Sequence, residues 1–247
     1  MKTRIILLGI LFGQQLSAQS YKKIHAKAIV VDTHNDILMQ AADRGTVFDQ
    51  DLTGKTHSDL TRWKKGGLDV QIFSVYSDGG LKNAYAYANR QMDSLDAVAL
   101  RNPDKIIKVS NYADMLRAVK QHKIAAMFGV EGGHMIEDDL AKLETLYKRG
   151  ARYLTLTHNV APAWATSAAD ETSPNPVIGK GLNSEGKKGL TDFGRQVVQK
   201  MNELGFFFFF LHQIFLSNKQ SWQCHINIVV YTLNYNKNGY FYKERDL

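Results

Sequence analysis

The sequence contains a single cysteine, Cys224, among 247 residues. No disulfide can close within the chain, so stability must come from the core or from a bound metal. A membrane-spanning run is missing at the start as well: the apolar stretch Ile5 to Phe12 falls well short of the roughly 20 residues a spanning helix needs. Strong charge of one sign is absent too. The formal net charge is +7, but Lys2 and Arg4 carry +2 of it and the segment from residue 206 onward another +2, which leaves +3 for the body. That excess is too mild to argue for a polyanion, and no nucleic-acid partner is expected. The body also lacks internal repeats and low-complexity segments. What is there, 44% hydrophobic and 22% charged residues, is an ordinary globular composition with enough chain for one substantial core or two small ones.

The two ends differ from the body. Met1 to Arg4 is basic, Ile5 to Phe12 is apolar, and Leu16-Ser17-Ala18-Gln19 offers small residues for cleavage, which together read as a signal peptide over 1–18. Cleavage is expected after Ala18, with a secreted or periplasmic product and no transmembrane span once the leader is removed; a membrane anchor is the alternative, disfavoured by the short apolar run. After Gly205 the composition breaks abruptly. Phe206 to Phe210 are five consecutive phenylalanines, and Phe, Asn, Lys, Ile and Tyr supply 22 of the last 42 residues. These are residues of A- and T-rich codons, so 206–247 is expected to be out-of-frame translation that begins at a homopolymer. Ile226 to Leu233 is strand-like, and a natural apolar segment is the alternative.

Between these ends, short apolar runs alternate with helical patterns. Ala28 to Val31 reads as a buried parallel strand that ends in the polar cluster Asp32-Thr33-His34-Asn35-Asp36. Leu68 to Tyr76, a brief Ile106 to Val109, Ile124 to Val130 and Tyr153 to Thr157 are further strand candidates. Asn83 to Leu100, Asn111 to Gln121 and Asp138 to Arg149 carry helical spacing, the last with Gly150 as its cap. Asn159 to Lys188 has no periodicity and reads as a long functional loop. Thr191 is a candidate N-cap for a helix over Asp192 to Leu204, which should lead into another buried strand; the phenylalanine tail stands in that strand's place. The pattern predicts an α/β fold of the (β/α)8 TIM-barrel type, incomplete because its closing strands are missing. An open doubly wound sheet is disfavoured, because the first cluster has no glycine with which to cradle a phosphate.

The polar clusters at the strand ends carry the chemistry. His34 and Asp36 are two apart, so on extended chain they share a side and could grip one metal, although a plain His–Asp hydrogen bond would look the same. Glu131 leaves the strand Ala125 to Val130 directly into Gly132-Gly133, where a carboxylate could bridge two metals or simply be a surface charge. His134 could cap a helix or support a ligand from behind. His158 could hydrogen-bond a substrate carbonyl or oxyanion, or be a core histidine bonded to backbone. His25, His57 and His122 lie in polar surroundings and read as surface residues, while His212 and His225 belong to the tail.

Four ordered motifs carry a resemblance: Val30 to Asp36, Gly129-Val130-Glu131-Gly132-Gly133-His134, Tyr153 to Asn159, and Gly189-Leu190-Thr191-Asp192-Phe193-Gly194. Together they resemble the membrane dipeptidase family, also called renal dipeptidases, over about residues 21 to 205. The resemblance implies a two-zinc (β/α)8 barrel that hydrolyses dipeptides, with 19–205 as a partial metallo-dipeptidase barrel. It also implies roles: His34 and Asp36 as metal ligands, Glu131 as the bridging and catalytic carboxylate, and His158 as the catalytic, substrate-binding group. Family members continue with an Asp-x-Ser-His segment, a further histidine and a later aspartate, none of which can be placed after residue 205, so the second zinc site lacks ligands here. Two other readings stand beside the dipeptidase: a non-catalytic truncated barrel, and another two-metal amidohydrolase-type barrel. The second ranks lower, because those enzymes resemble a His-x-His pair on strand one and Asp36 stands in its second position. A homodimer is compatible with all three.

Overall fold

A computed structural model describes residues 21–175 and 179–208 of the chain. The signal peptide over 1–18, its cleavage after Ala18, and all of the tail beyond Phe208, with Cys224, His212 and His225, lie outside the described residues. A helix α1 at residues 21–27 precedes the first strand. Six strands follow: β1 (Val31–Asn35), β2 (Val70–Tyr76), β3 (Ile106–Lys108), β4 (Ile124–Glu131), β5 (Ala151–Thr155) and β6 (Phe207–Phe208). Between them run α2 (Ile37–Arg44), α3 (Leu60–Lys65), α4 (Ala84–Arg101), α5 (Tyr112–Lys120), α6 (Leu140–Arg149), α7 (Ala168–Thr172) and α8 (Asp192–Leu204).

Every strand pair is parallel, in the order β1-β2-β4-β5-β6. β3 stands off this path: it pairs with β4 at Ile124 to Ala126, and β5 takes over the same edge from Phe128 onward. Parallel strands in chain order, with β1 to β5 each followed by helix, form an arc of a (β/α)8 barrel, incomplete over the described residues. β2 and β4 are buried along nearly their whole length, as interior parallel strands covered on both faces should be. One consequence governs the site: the C-terminal ends of β1, β2, β4 and β5 gather at one rim, with Tyr76 beside Glu131 and Glu131 beside Thr155.

The helices are set by their apolar stripes and end groups. α4 buries Ala84, Tyr87, Ala88, Gln91, Met92, Leu95 and Val98, a spacing of three and four that presents one face to the sheet. α6 starts where the Asp139 side chain accepts the Ala141 N–H and stops at Gly150 in the left-handed region (φ 113°). Thr191 caps α8 by accepting the Gly194 N–H, and Val197, Val198 and Met201 are its buried face. The core also holds the aromatic trio Phe48, Trp63 and Phe73, with ring centroids 5.5–5.9 Å apart. Among the described residues, no helix is long and apolar enough to cross a membrane.

Four expectations are corrected. The first strand lies over Val31–Asn35, so the polar cluster up to Asn35 is part of the strand; Ile29 and Val31 are 40% and 39% exposed, because β1 is an edge of the arc with one side uncovered among the described residues. β5 spans Ala151–Thr155, which leaves His158 three residues past the strand on a loop. A strand does follow α8: Phe207 and Phe208 pair with Tyr153 and Leu154, and Phe206 is buried against the Tyr147 ring at 5.1 Å. Helices α1, α2, α3 and α7 are not among the expected ones; α7 sits inside the long loop, held by a capping box between Ser167 and Asp170.

Candidate metal centre

The site begins with an irregularity. The pairing of β1 with β2 shifts register between Asp32 and Asn35, a bulge of the kind that re-aims side chains at barrel rims. The His34 N–H donates to Asp32 Oδ1 within this bulge (3.1 Å). Asp36 then stands at the N-cap of α2 but makes no capping bond there; Asn35 Oδ1 accepts the Ile37 N–H in its place. The carboxylate left over by that substitution turns to His34, whose Nε2 lies 3.3 Å from Asp36 Oδ1. Asp36 remains half exposed, so the centre is open on this side.

Glu131 arrives from β4. It is only 6% exposed, which overturns the surface-charge alternative, and its Oε2 lies 3.2 Å from the same His34 Nε2. Ser74 Oγ on β2 donates to Oε2 (3.4 Å), while Oε1 faces His158 Nε2 at 3.6 Å. The backbone turns sharply just past Glu131: Gly132 has φ 103°, and its N–H donates to Thr155 Oγ1 (2.7 Å). A Cβ on Gly133 would come within 2.4 Å of the Trp164 ring and 2.5 Å of the Leu156 carbonyl, so the glycine pair is needed for this approach. His158 is set edge-on to the Tyr76 ring, with centroids 4.8 Å apart.

The electrostatics follow from two carboxylates meeting one imidazole. Hydrogen bonding to Asp36, then to Glu131, raises the His34 pKa to about 10 against the opposing effect of burial. Asp36 is correspondingly held below the usual carboxylate range by its bond to His34. Burial pushes the Tyr76 and Tyr153 phenols up. His134 is pushed down by burial; its Nε2 meets Ser77 Oγ at 3.0 Å, and its Nδ1 is buried without a partner among the described residues.

Among the described residues, one group of His, Asp or Glu side chains has the geometry to hold a metal ion. His34, Asp36 and Glu131 each offer a ligand atom, and these atoms lie within 4.8 Å of one another. The donor set suits a divalent ion, since one imidazole nitrogen and two carboxylates converge on one place. The structure thus brings together His34, Asp36, Glu131 and His158. His134 lies alongside but does not cap a helix, and His25, His57 and His122 are exposed elsewhere. Sequence reading missed Ser74, Tyr76 and Tyr153, which contact these groups. One signal for Tyr153 was available, because a glycine inside a strand, here Gly129, marks a close approach by something else.

Comparison with known proteins supplies the context. A family model described as membrane dipeptidase (peptidase family M19) matches residues 18–208. The chain is 30% identical over 213 residues to an uncharacterized dipeptidase of Schizosaccharomyces pombe, a match covering 78% of this chain and 48% of that protein. Among solved structures it is similar to the probable dipeptidase PvdM from Pseudomonas aeruginosa, with a TM-score of 0.63, 18% identity, and 77% and 48% of the two chains covered. It is also similar to a metallo peptidase from Rhodobacter sphaeroides liganded with a phosphinate mimic of the dipeptide L-Ala-D-Ala, with a TM-score of 0.59, 19% identity, and 73% and 57% covered. At these identities the structural matches speak for the fold alone. The chain spans about half the length of the curated relative it matches.

Proposed function

The chain belongs to the membrane dipeptidase family, peptidase family M19, and from that premise we propose that it is built to hydrolyse dipeptides at a zinc centre held by His34, Asp36 and Glu131. The convergence of these three ligand atoms within 4.8 Å, from β1, the start of α2 and β4, carries the reading. When bound, the metal supplies a Lewis acid and lowers the pKa of a water to near neutrality. His34 presents Nε2 and must release the proton that its carboxylate neighbours now favour. Glu131 directs one oxygen toward His34 and the other toward His158, the divergence a carboxylate needs to bridge two ions. Ser74 steadies Oε2 of that carboxylate. His158, braced by Tyr76, is placed to hydrogen-bond the carbonyl oxygen of a scissile peptide. Export through the signal peptide belongs to the same proposal.

A second reading, one ion bound without turnover, is favoured by one observation: among the described residues no other cluster of His, Asp and Glu could hold a second ion. The full chain, purified, supplied with Zn²⁺ and assayed on a dipeptide panel including L-Ala-D-Ala, separates the two. Chelator-sensitive hydrolysis supports the dipeptidase, zinc binding without hydrolysis supports the second reading, and no zinc binding refutes both.

A further inference from the structure

We propose that Tyr153 is a positioning residue of this centre: its phenol fixes which nitrogen of His34 carries the proton, and so leaves Nε2 bare toward the metal. The inference rests on the zinc-centre reading above. Tyr153 comes from β5, is almost wholly buried, and sends its hydroxyl across the arc to β1. There it meets the Thr33 carbonyl oxygen at 3.4 Å and His34 Nδ1 at 3.2 Å.

The assignment follows from counting hydrogens. A backbone carbonyl can only accept, so the contact with Thr33 uses the single phenol hydrogen. Toward His34 the phenol oxygen then has only lone pairs to offer, which requires the hydrogen to sit on Nδ1. A neutral imidazole has one N–H. With that hydrogen kept on Nδ1, the neutral imidazole that a metal requires leaves Nε2 bare, and Nε2 is the atom that faces Asp36 and Glu131 at 3.3 and 3.2 Å. Metal-ligating histidines generally have their second nitrogen held in this way, most often by a carboxylate or a carbonyl; here a tyrosine relays the bond to a carbonyl.

Room for the relay comes from Gly129. It lies directly across from Tyr153 in the ladder, and a Cβ built on it would stand 1.9 Å from Tyr153 Cζ. Any side chain at 129 would therefore drive the ring off its seat and the hydroxyl away from His34. Gly129, Tyr153 and His34 thus form one chain of contacts through three strands, and its output is the orientation and tautomer of a single ligand.

The test uses the full chain with Zn²⁺ alone. Tyr153→Phe keeps the ring and removes only the hydroxyl, so the metal-free melting temperature is expected to stay near that of the parent. Zinc affinity, measured by competition with a chromophoric chelator, should fall roughly 10–100-fold, the usual effect of losing a ligand's supporting partner. Gly129→Ala should weaken zinc binding as well, although it retains the phenol. Nitrogen-15 NMR of the zinc-bound parent should show His34 protonated at Nδ1 and coordinated through Nε2, a measurement that stands even if a variant fails to fold. Unchanged affinity in Tyr153→Phe, or coordination through Nδ1, overturns the inference while leaving the zinc centre intact. Absence of zinc binding by the parent overturns the zinc-centre reading, and the inference falls with it.

Discussion

Asp59 shows how much one buried carboxylate can organise. It is fully buried, caps α3 through the Arg62 N–H, accepts the Leu52 N–H, and pairs with Arg62 Nε at 2.7 Å. Asp59→Ala should therefore cost about 2–4 kcal/mol, combining a lost cap with a buried N–H left unpaired. Urea denaturation measures this, and a loss under about 0.5 kcal/mol would contradict the account. Burial alone would push this carboxyl up, but the Arg62 and Leu52 N–H bonds and the guanidinium outweigh it and hold the pKa below the usual range. A depressed acid contributes stability that is present in full above its unfolded value of about 4 and is lost as the pH falls through the folded value. The gap between parent and Asp59→Ala should accordingly be constant from neutral pH to about 5 and narrow below about 4. Glu131→Gln belongs to the same scale with the opposite emphasis. It should leave the metal-free fold standing, because the glutamine is isosteric, and lower zinc affinity by at least the roughly 10–100-fold that losing a mere supporting partner costs. Isothermal titration checks it, and unchanged affinity would remove Glu131 from the ligand set.

Among the elements, α4 and β4 bind the arc together. α4 lays Met92 and Leu95, both fully buried, against the core, while Leu100 near its end is 82% exposed. Met92→Ala should cost about 2–5 kcal/mol, through lost burial and the cavity left behind. Leu100→Ala should stay within about 0.5 kcal/mol, since it exchanges one solvated side chain for another. Chemical denaturation of the pair tests which face α4 packs; similar losses would mean the helix is rotated from the arrangement described. β4 is flanked on both sides, by β2 on one and by β3 and then β5 on the other. β1, with one free side among the described residues, is the weaker element, and it also carries His34. A candidate ligand on an edge strand needs outside support, which is where the bond from Tyr153 on β5 matters most.

For the molecule as a whole, the proposed metal centre would link ion binding to folding. An ion that binds only the folded chain stabilises it by about 2.7 kcal/mol when free ion is 100 times its dissociation constant. For a chain of this size that corresponds to roughly a 5–10 °C rise in melting temperature. Calorimetry with Zn²⁺ and then with excess chelator should show the rise and its reversal. No shift at saturating zinc would mean the triad is a hydrogen-bonded cluster and not a metal centre.

The sequence by itself determined the strands, the longer helices and the chemistry of the strand ends. Short apolar runs ending in His34, Asp36 and Glu131 were readable because strand periodicity and polar punctuation are local properties. Thr191 and Gly150 marked helix ends for the same reason. Tertiary structure decided what locality cannot. The exposure of Ile29 and Val31 depends on which neighbours β1 has, and the strand at Phe207–Phe208 depends on β5 offering an edge, not on the composition of the segment. Likewise, Tyr153 reads in sequence as one more core aromatic; only the pairing of Gly129 with it, and the approach of β1, turns its hydroxyl into a partner for His34 across 119 residues of chain. Contacts between residues far apart in sequence leave no periodic trace, so the candidate ligands are legible in the sequence and the groups that hold them in place are not.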